Sequence, residues 1–168
     1  HRIDPARARI ANVPMPGSGH RFHDLVLHDG TQVGKRHWYQ HIVPVFNELQ
    51  RLQPSNFHTY TVFVEAQGDD EIEALQRVRA SGVGLVEDWT PGLGRRCLRC
   101  VHGLPHKHRW EEAGALPGWH SDRTLGVAAL HEQVVRDLLA DWVAGAPERR
   151  RLESIEARES PAPRPGAP

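Results

Sequence analysis

The apolar run Leu25-Val26-Leu27 and the apolar Val33 lie on either side of Asp29-Gly30. Asp-Gly is a strong signal for a two-residue type I′ hairpin turn. Phe22 to Trp38 therefore reads as two strands joined at Asp29-Gly30. The register predicted by such a turn sets His28 opposite Thr31, Val26 opposite Val33 and Asp24 opposite Lys35. Asp24, Val26, Val33 and Lys35 would then share one side of the sheet. Beyond it, Trp38, Ile42, Phe46, Leu49 and Leu52 fall on one helical face, with Pro54 as a stop. Pro44 inside that run requires that the helix start there or kink there; with a start at Pro44, the second strand can run on through His41.

The following segment changes period twice. HTYTVFVEA predicts a strand, DDEIEALQRVRAS a helix capped by Asp69 or Asp70, and GVGLVEDW a further strand after a stop at Gly82. A strand, helix and strand in so short a span predict a right-handed βαβ unit with parallel strands. Val62, Val64, Val83, Leu85 and Val86 would be buried beneath Ile72, Leu75 and Val78. TPGLG then turns the chain into RRCLRCVHG, read as another strand, and a loop from Leu104 to Asp122 leads to a last helix striped by Val127, Leu130, Val134, Leu138 and Trp142. ERRRLESIEARE reads as a polar helical extension and PAPRPGAP as disordered. The expected organisation is an N-terminal lead over residues 1–19, a single α/β domain over 20–146, and a polar, Pro-rich tail over 147–168.

Composition narrows this picture. A chain of 168 residues buries one respectable core but not two full domains. Lys+Arg and Asp+Glu both number 21, so no global basic field advertises nucleic acid, and such binding requires a local patch. No apolar run reaches a membrane span and the N-terminus lacks the apolar stretch of a signal peptide, so the expectation is a cytoplasmic protein with no membrane partner.

The candidate chemistry is concentrated in a few places. The predicted register puts the Asp24 carboxylate beside the Lys35 ammonium, which suits either a metal-assisted phosphate site or a cross-strand charge pair of roughly 0.2 to 1 kcal/mol. Cys97, Cys100, His102, His106 and His108 supply thiolate and imidazole donors for zinc within CLRCVHGLPHKH. A regular strand there would instead point Cys97 and Cys100 to opposite faces, leaving two half-buried cysteines and a polar loop. Arg95, Arg96, Arg99, Lys107 and Arg109, interleaved with Trp110, form a candidate nucleic-acid-binding strip. His37 and His41 would stand one turn apart on a helix.

The order hairpin, helix, strand, helix, strand over about residues 20 to 100, with Asp24 in HDLVL and Lys35 in VGK, resembles the core of the PD-(D/E)xK, or restriction-endonuclease-like, nuclease family. The resemblance implies a small mixed sheet in which a β-hairpin is followed by α-β-α-β, with a C-terminal helix and disordered tail appended. It also implies a catalytic set in which Asp24 holds Mg²⁺ and Lys35 positions the attacking water. The triplet here is Val33-Gly34-Lys35, so the second carboxylate of the family pattern is missing, and Glu65 is the candidate to supply it. The implied function is a nucleic-acid-acting protein, either a metal-dependent nuclease or a catalytically degenerate relative. The alternative is a zinc-stabilised, non-catalytic interaction module whose C-terminal helix engages a protein partner.

Overall fold

The segment HTYTVFVEA forms the strand around which the larger half of the molecule is organised, in a computed structural model that describes residues 1–38, 41–93 and 119–158. The described strands are β1 (Arg7–Arg9), β2 (Leu25–Trp38), β3 (His41–Gln53), β4 (His58–Ala66), β5 (Val83–Asp88), β6 (Asp122–Ala129) and β7 (Arg150–Arg158). The helices are α1 (Asp69–Gln76), α2 (Thr90–Leu93) and α3 (Glu132–Ala144). Two antiparallel sheets result: β1-β2-β3 in one, and β5-β6-β4-β7 in the other.

The chain is a mixed α/β protein, but its sheets are not mixed. β4 and β5 do run in the same direction, as the βαβ reading requires, yet β6 lies between them and is antiparallel to both. The order β4-α1-β5-β6-α3-β7 with this strand arrangement is the split, ferredoxin-like β-α-β-β-α-β topology. β6 was hidden because Val127, Leu130 and Val134 have helical spacing. In the structure Val127 is on β6, and the last helix begins only at Glu132.

Both long helices cover one face of the four-stranded sheet. Tyr60, Val62, Val64 and Ala66 of β4 alternate into a core with Leu125 and Val127 of β6, Ile72 and Leu75 of α1, and Val135, Leu138, Leu139 and Trp142 of α3. The expected helix over 69–81 is shorter, ending at Gln76, and its N-cap is Gly68, with Asp69, Asp70 and Glu71 in the first turn. Acidic side chains there favour the positive end of the helix dipole. Val83 and Val86 both face this core although they are three residues apart, because the β5–β6 register shifts between Val83 and Leu85. Leu85 is thereby sent to the opposite face.

That opposite face is closed by the N-terminal lead. Val13 and Phe22 are buried with Trp89 and Ala128, flanked by Met15, Phe57 and Leu85. Trp89 lies so close to Gly126 that a Cβ there would collide with its indole ring. Glu87 fastens the lead by accepting the Val13 N–H at 3.0 Å, and burial pushes its carboxyl pKa up from 4.5.

The expected polar helix after Pro147 is instead β7, paired with β4 from Thr59↔Arg158 to Ala66↔Arg150. A register shift at Phe63/Val64 lets Leu152 and Ile155, three apart and so helical in spacing, pack against the same core. β7 is anchored by a buried ion network. Glu71, 2% exposed, pairs with Arg149 at 3.0 Å and with Arg150, and Arg150 also donates to the Trp142 carbonyl at 2.6 Å. The domain therefore extends to Arg158.

Candidate nucleic-acid interface

Asp29 and Gly30 are not the hairpin turn. β2 continues through them to Trp38, and β3 returns from His41, the last registered pair being Trp38↔His41. The Asp-Gly signal is spent on a bulge. Pairing passes from His28↔Glu48 to Gln32↔Phe46, so Asp29, Gly30 and Thr31 stand opposite Asn47 alone. Gly30 takes φ +72°, Asp29 accepts the Thr31 N–H at 3.1 Å and the Asn47 amide at 3.0 Å, and His28 Nδ1 accepts the Gly30 N–H at 3.1 Å. A further shift follows between Gln32 and Gly34. Bulges bend a strand and increase its twist, so the sequence makes a long, twisted two-stranded ribbon. The helix expected over 38–52 is β3. Its apolar residues do not form a core stripe: Ile42 and Leu49 are each 61% exposed.

The base of this ribbon is fixed. β1 pairs with Leu25 to Leu27, Val26 and His28 are buried, and the Ala6 carbonyl accepts the His28 N–H at 2.7 Å. Asp24, fully buried, is the hub. Its Oδ1 accepts the Ser55 N–H at 2.7 Å, and its Oδ2 accepts the Arg21 N–H at 2.9 Å and Arg51 Nη1 at 3.2 Å. His20 stands 3.7 Å from the same oxygen and 2.8 Å from Glu48. A buried carboxylate is tolerated when several donors replace its water, and here the donors come from both ends of the β2–β3 unit. Next to this hub, burial and the Arg9 charge lower the His23 pKa from 6.5.

The proposed catalytic residues are not brought together. Lys35 pairs with Pro44, while Leu25, the neighbour of Asp24, pairs with Gln53. Those partners lie nine positions apart along β3, about 30 Å at the usual strand rise. The Asp24–Lys35 pairing predicted from the turn is thus replaced by a pairing set at the far end of a longer hairpin. Glu65 is half-exposed, seven residues along β4 from His58, and lies 3.8 Å from Arg151. Strand rise puts it about 20 Å from His58. Among the described residues no three His, Cys, Asp or Glu side chains converge on a metal position. His37 pairs with Ile42 and His41 with Trp38, so the two histidines belong to facing strands rather than to one helical turn. Cys97, Cys100, His102, His106 and His108, together with Arg95, Arg96, Arg99, Lys107 and Arg109, lie outside the described residues, in the connection between α2 and β6.

The longer hairpin assembles a different set. Lys35, Arg36, His37 and Trp38 end β2, and His41 begins β3. Pairing sets Arg36 against Val43 and His37 against Ile42. Toward this end the strands pair with each other, and Thr31, Gln32, Val33, Lys35, Ile42 and Pro44 are exposed. Basic residues interleaved with aromatics are a nucleic-acid signal, and KRHWYQH carries it as legibly as the 95–110 run. It passes unread when the hairpin is closed at Asp29-Gly30, because that register leaves Trp38 to begin a helix. No protein-family model matches the chain, and no curated protein or solved structure matches it either.

Proposed function

We propose that the chain binds nucleic acid and uses the β2–β3 ribbon as its arm. The observation that carries this reading is the ribbon end itself: a two-stranded element, exposed at Lys35 and Ile42, in which register gathers Lys35, Arg36, His37, Trp38 and His41 at one end. A two-stranded ribbon fits the major groove, which is about 12 Å wide. Lysine and arginine there displace condensed counterions from phosphates, and an aromatic side chain offers a stacking surface to an unpaired base. Because acidic and basic residues balance over the whole chain, attraction to a polyanion depends on such a local concentration of charge. The β4–β7 sandwich is the rigid scaffold, and Asp24 sets the base from which the arm projects. Hydrolysis by Asp24, Lys35 and Glu65 is not part of this reading, since the three stand apart.

Fluorescence anisotropy with labelled duplex and single-stranded oligonucleotides across a salt series tests the proposal. Affinity should fall steeply with salt, and Lys35→Ala with Arg36→Ala should weaken binding about tenfold or more and flatten the salt slope by about one unit per charge removed. Salt-independent binding, or binding unchanged in that double variant, overturns it. Exposed Val33, Ile42, Leu49 and Leu52 favour a second reading, in which the ribbon docks on a protein surface. Concentration-dependent self-association in sedimentation that is lost in Ile42→Ser would support it.

A further inference from the structure

We infer that the cleft between the Asp24 hub and the start of α3 is a binding site for a phosphate group, independent of the ribbon. The cleft has a volume of about 370 Å³ and is lined by Arg21, Asn56, His58, Leu130 and His131. Three of these five carry or can carry positive charge, Asn56 offers an amide, and among the described residues the lining contains no carboxylate. Such a set matches a tetrahedral dianion: guanidinium N–H, imidazole N–H and amide groups are all donors to anionic oxygens.

The backbone adds to it. α3, thirteen residues long, begins immediately after His131, which is its N-cap and contributes no side-chain cap. The positive end of that helix therefore opens where His131 and Leu130 line the cleft. The acid of the first turn, Glu132, is paired with Arg136 rather than with the cleft residues. His58 is close enough to the guanidinium to feel it. Burial first, and then the charges of Arg21 and His131, lower the pKa of His58 from 6.5.

The cleft is also held in shape before any ligand arrives. Asp24 accepts the Arg21 N–H and the Ser55 N–H, and Arg21 Nη1 donates to the Ser55 carbonyl at 3.3 Å, so the two loops that present Arg21 and Asn56 are stitched together. From the other side, Leu130 donates its N–H to the Gly82 carbonyl at 2.9 Å, fixing the turn into α3. A preformed site loses less on binding than one that must be ordered. Its volume lies in the lower range of small-molecule sites and exceeds what a bare phosphate fills, which leaves room beside Leu130 for the group the phosphate is attached to. That group belongs either to a free phosphorylated metabolite or to the phosphorylated end of a nucleic acid.

The test is calorimetry and thermal unfolding of the full chain with inorganic phosphate, against chloride at matched ionic strength. Phosphate should bind and raise the unfolding midpoint, and Arg21→Gln or His131→Gln should each weaken it about tenfold or more, while Lys35→Ala leaves it unchanged. A rise no greater than that given by chloride, an equal effect of acetate, or undiminished binding in both cleft variants overturns the site. Should either variant unfold, imidazole resonances of the unsubstituted protein decide instead: phosphate must shift those of His58 and His131, and unmoved resonances overturn the site. Displacement of phosphate by adenosine 5′-monophosphate supports the metabolite source. Displacement only by a 5′-phosphorylated oligonucleotide, and not by its 5′-hydroxyl counterpart, supports the nucleic-acid end, and displacement by neither overturns the inference. Loss of the ribbon's salt-dependent binding in Lys35→Ala/Arg36→Ala with phosphate binding intact separates the two sites.

Discussion

The β2–β3 ribbon and the β4–β7 sandwich are made of the same kind of strand residues and use them in opposite ways. In the sandwich, Val62, Val64, Leu125 and Val127 are 0% exposed. In the ribbon, Val33 is 46% exposed and Ile42 and Leu49 are 61% exposed. Full burial of such a side chain contributes about 1.5 to 3 kcal/mol, whereas backbone pairing contributes little net stability and a two-stranded ribbon is marginal without a packed face. The sandwich therefore supports the fold, and the ribbon persists because Asp24, β1 and the buried Val26 and His28 hold its base. A segment that the core does not need is free to carry function.

The sharpest way to break this comparison is in the core. Leu125→Ala should cost about 2 to 5 kcal/mol, measured by urea unfolding, while Ile42→Ala and Leu49→Ala should stay within about 0.5 kcal/mol of the parent. Comparable losses in both halves would show that the ribbon packs against something after all. Asp24→Ala strikes the joint between the halves: the Ser55 and Arg21 amides and Arg51 lose their acceptor, at a cost of about 3 to 5 kcal/mol. In addition, hydrogen exchange should quicken at Leu25 to His28 before it does at β4.

Lys35→Ala with Arg36→Ala reverses the pattern, with about a tenfold or greater loss of oligonucleotide affinity and an unchanged unfolding midpoint. The smallest effects are in the pH dependence. Burial raises the Glu87 pKa above 4.5, so the native state binds a proton that the unfolded state releases first. That acid's contribution is most favourable below about 4.5 and is lost as pH rises through its native midpoint. Glu87→Gln, which keeps an acceptor for the Val13 N–H, should raise the melting temperature at neutral pH and flatten this dependence. His23 and His58 act in the other direction. Their lowered native pKa values mean that stability present above 6.5 declines as pH falls below it, because the unfolded state takes up the protons first. A scan of melting temperature from pH 7.5 to 5 should show the decline diminished in His58→Gln.

Where the pattern in the chain was regular, the fold was legible. HTYTVFVEA became β4 with the expected bounds, Gly82 preceded β5, and DDEIEALQ became α1 with Ile72 and Leu75 inward. Where a strand carries a bulge, the same reading fails. Leu152 and Ile155, and Val83 and Val86, are three residues apart yet share a face across a register shift, which in sequence is indistinguishable from a helix. In β3 the same spacing belongs to residues left on the surface. Asp24 stood out as a residue of consequence, but its donors, Arg21, Arg51 and Ser55, come from positions up to thirty-one residues away, and local pattern cannot name such partners.

By itself, the sequence determined which segments seek the interior, that DDEIEALQ forms a helix, and that any attraction to a polyanion must be local. Tertiary structure decided the rest. Asp29-Gly30 satisfies a turn and a bulge equally well, since both need only a positive φ and a short polar side chain. Which one forms depends on whether the strand beyond finds its partner near or far, and the partner of Gln32 is Phe46. That long-range choice moved Lys35 from beside Asp24 to the tip of an arm, and made a buried carboxylate that resembled a metal ligand into the joint on which the arm and the cleft both rest.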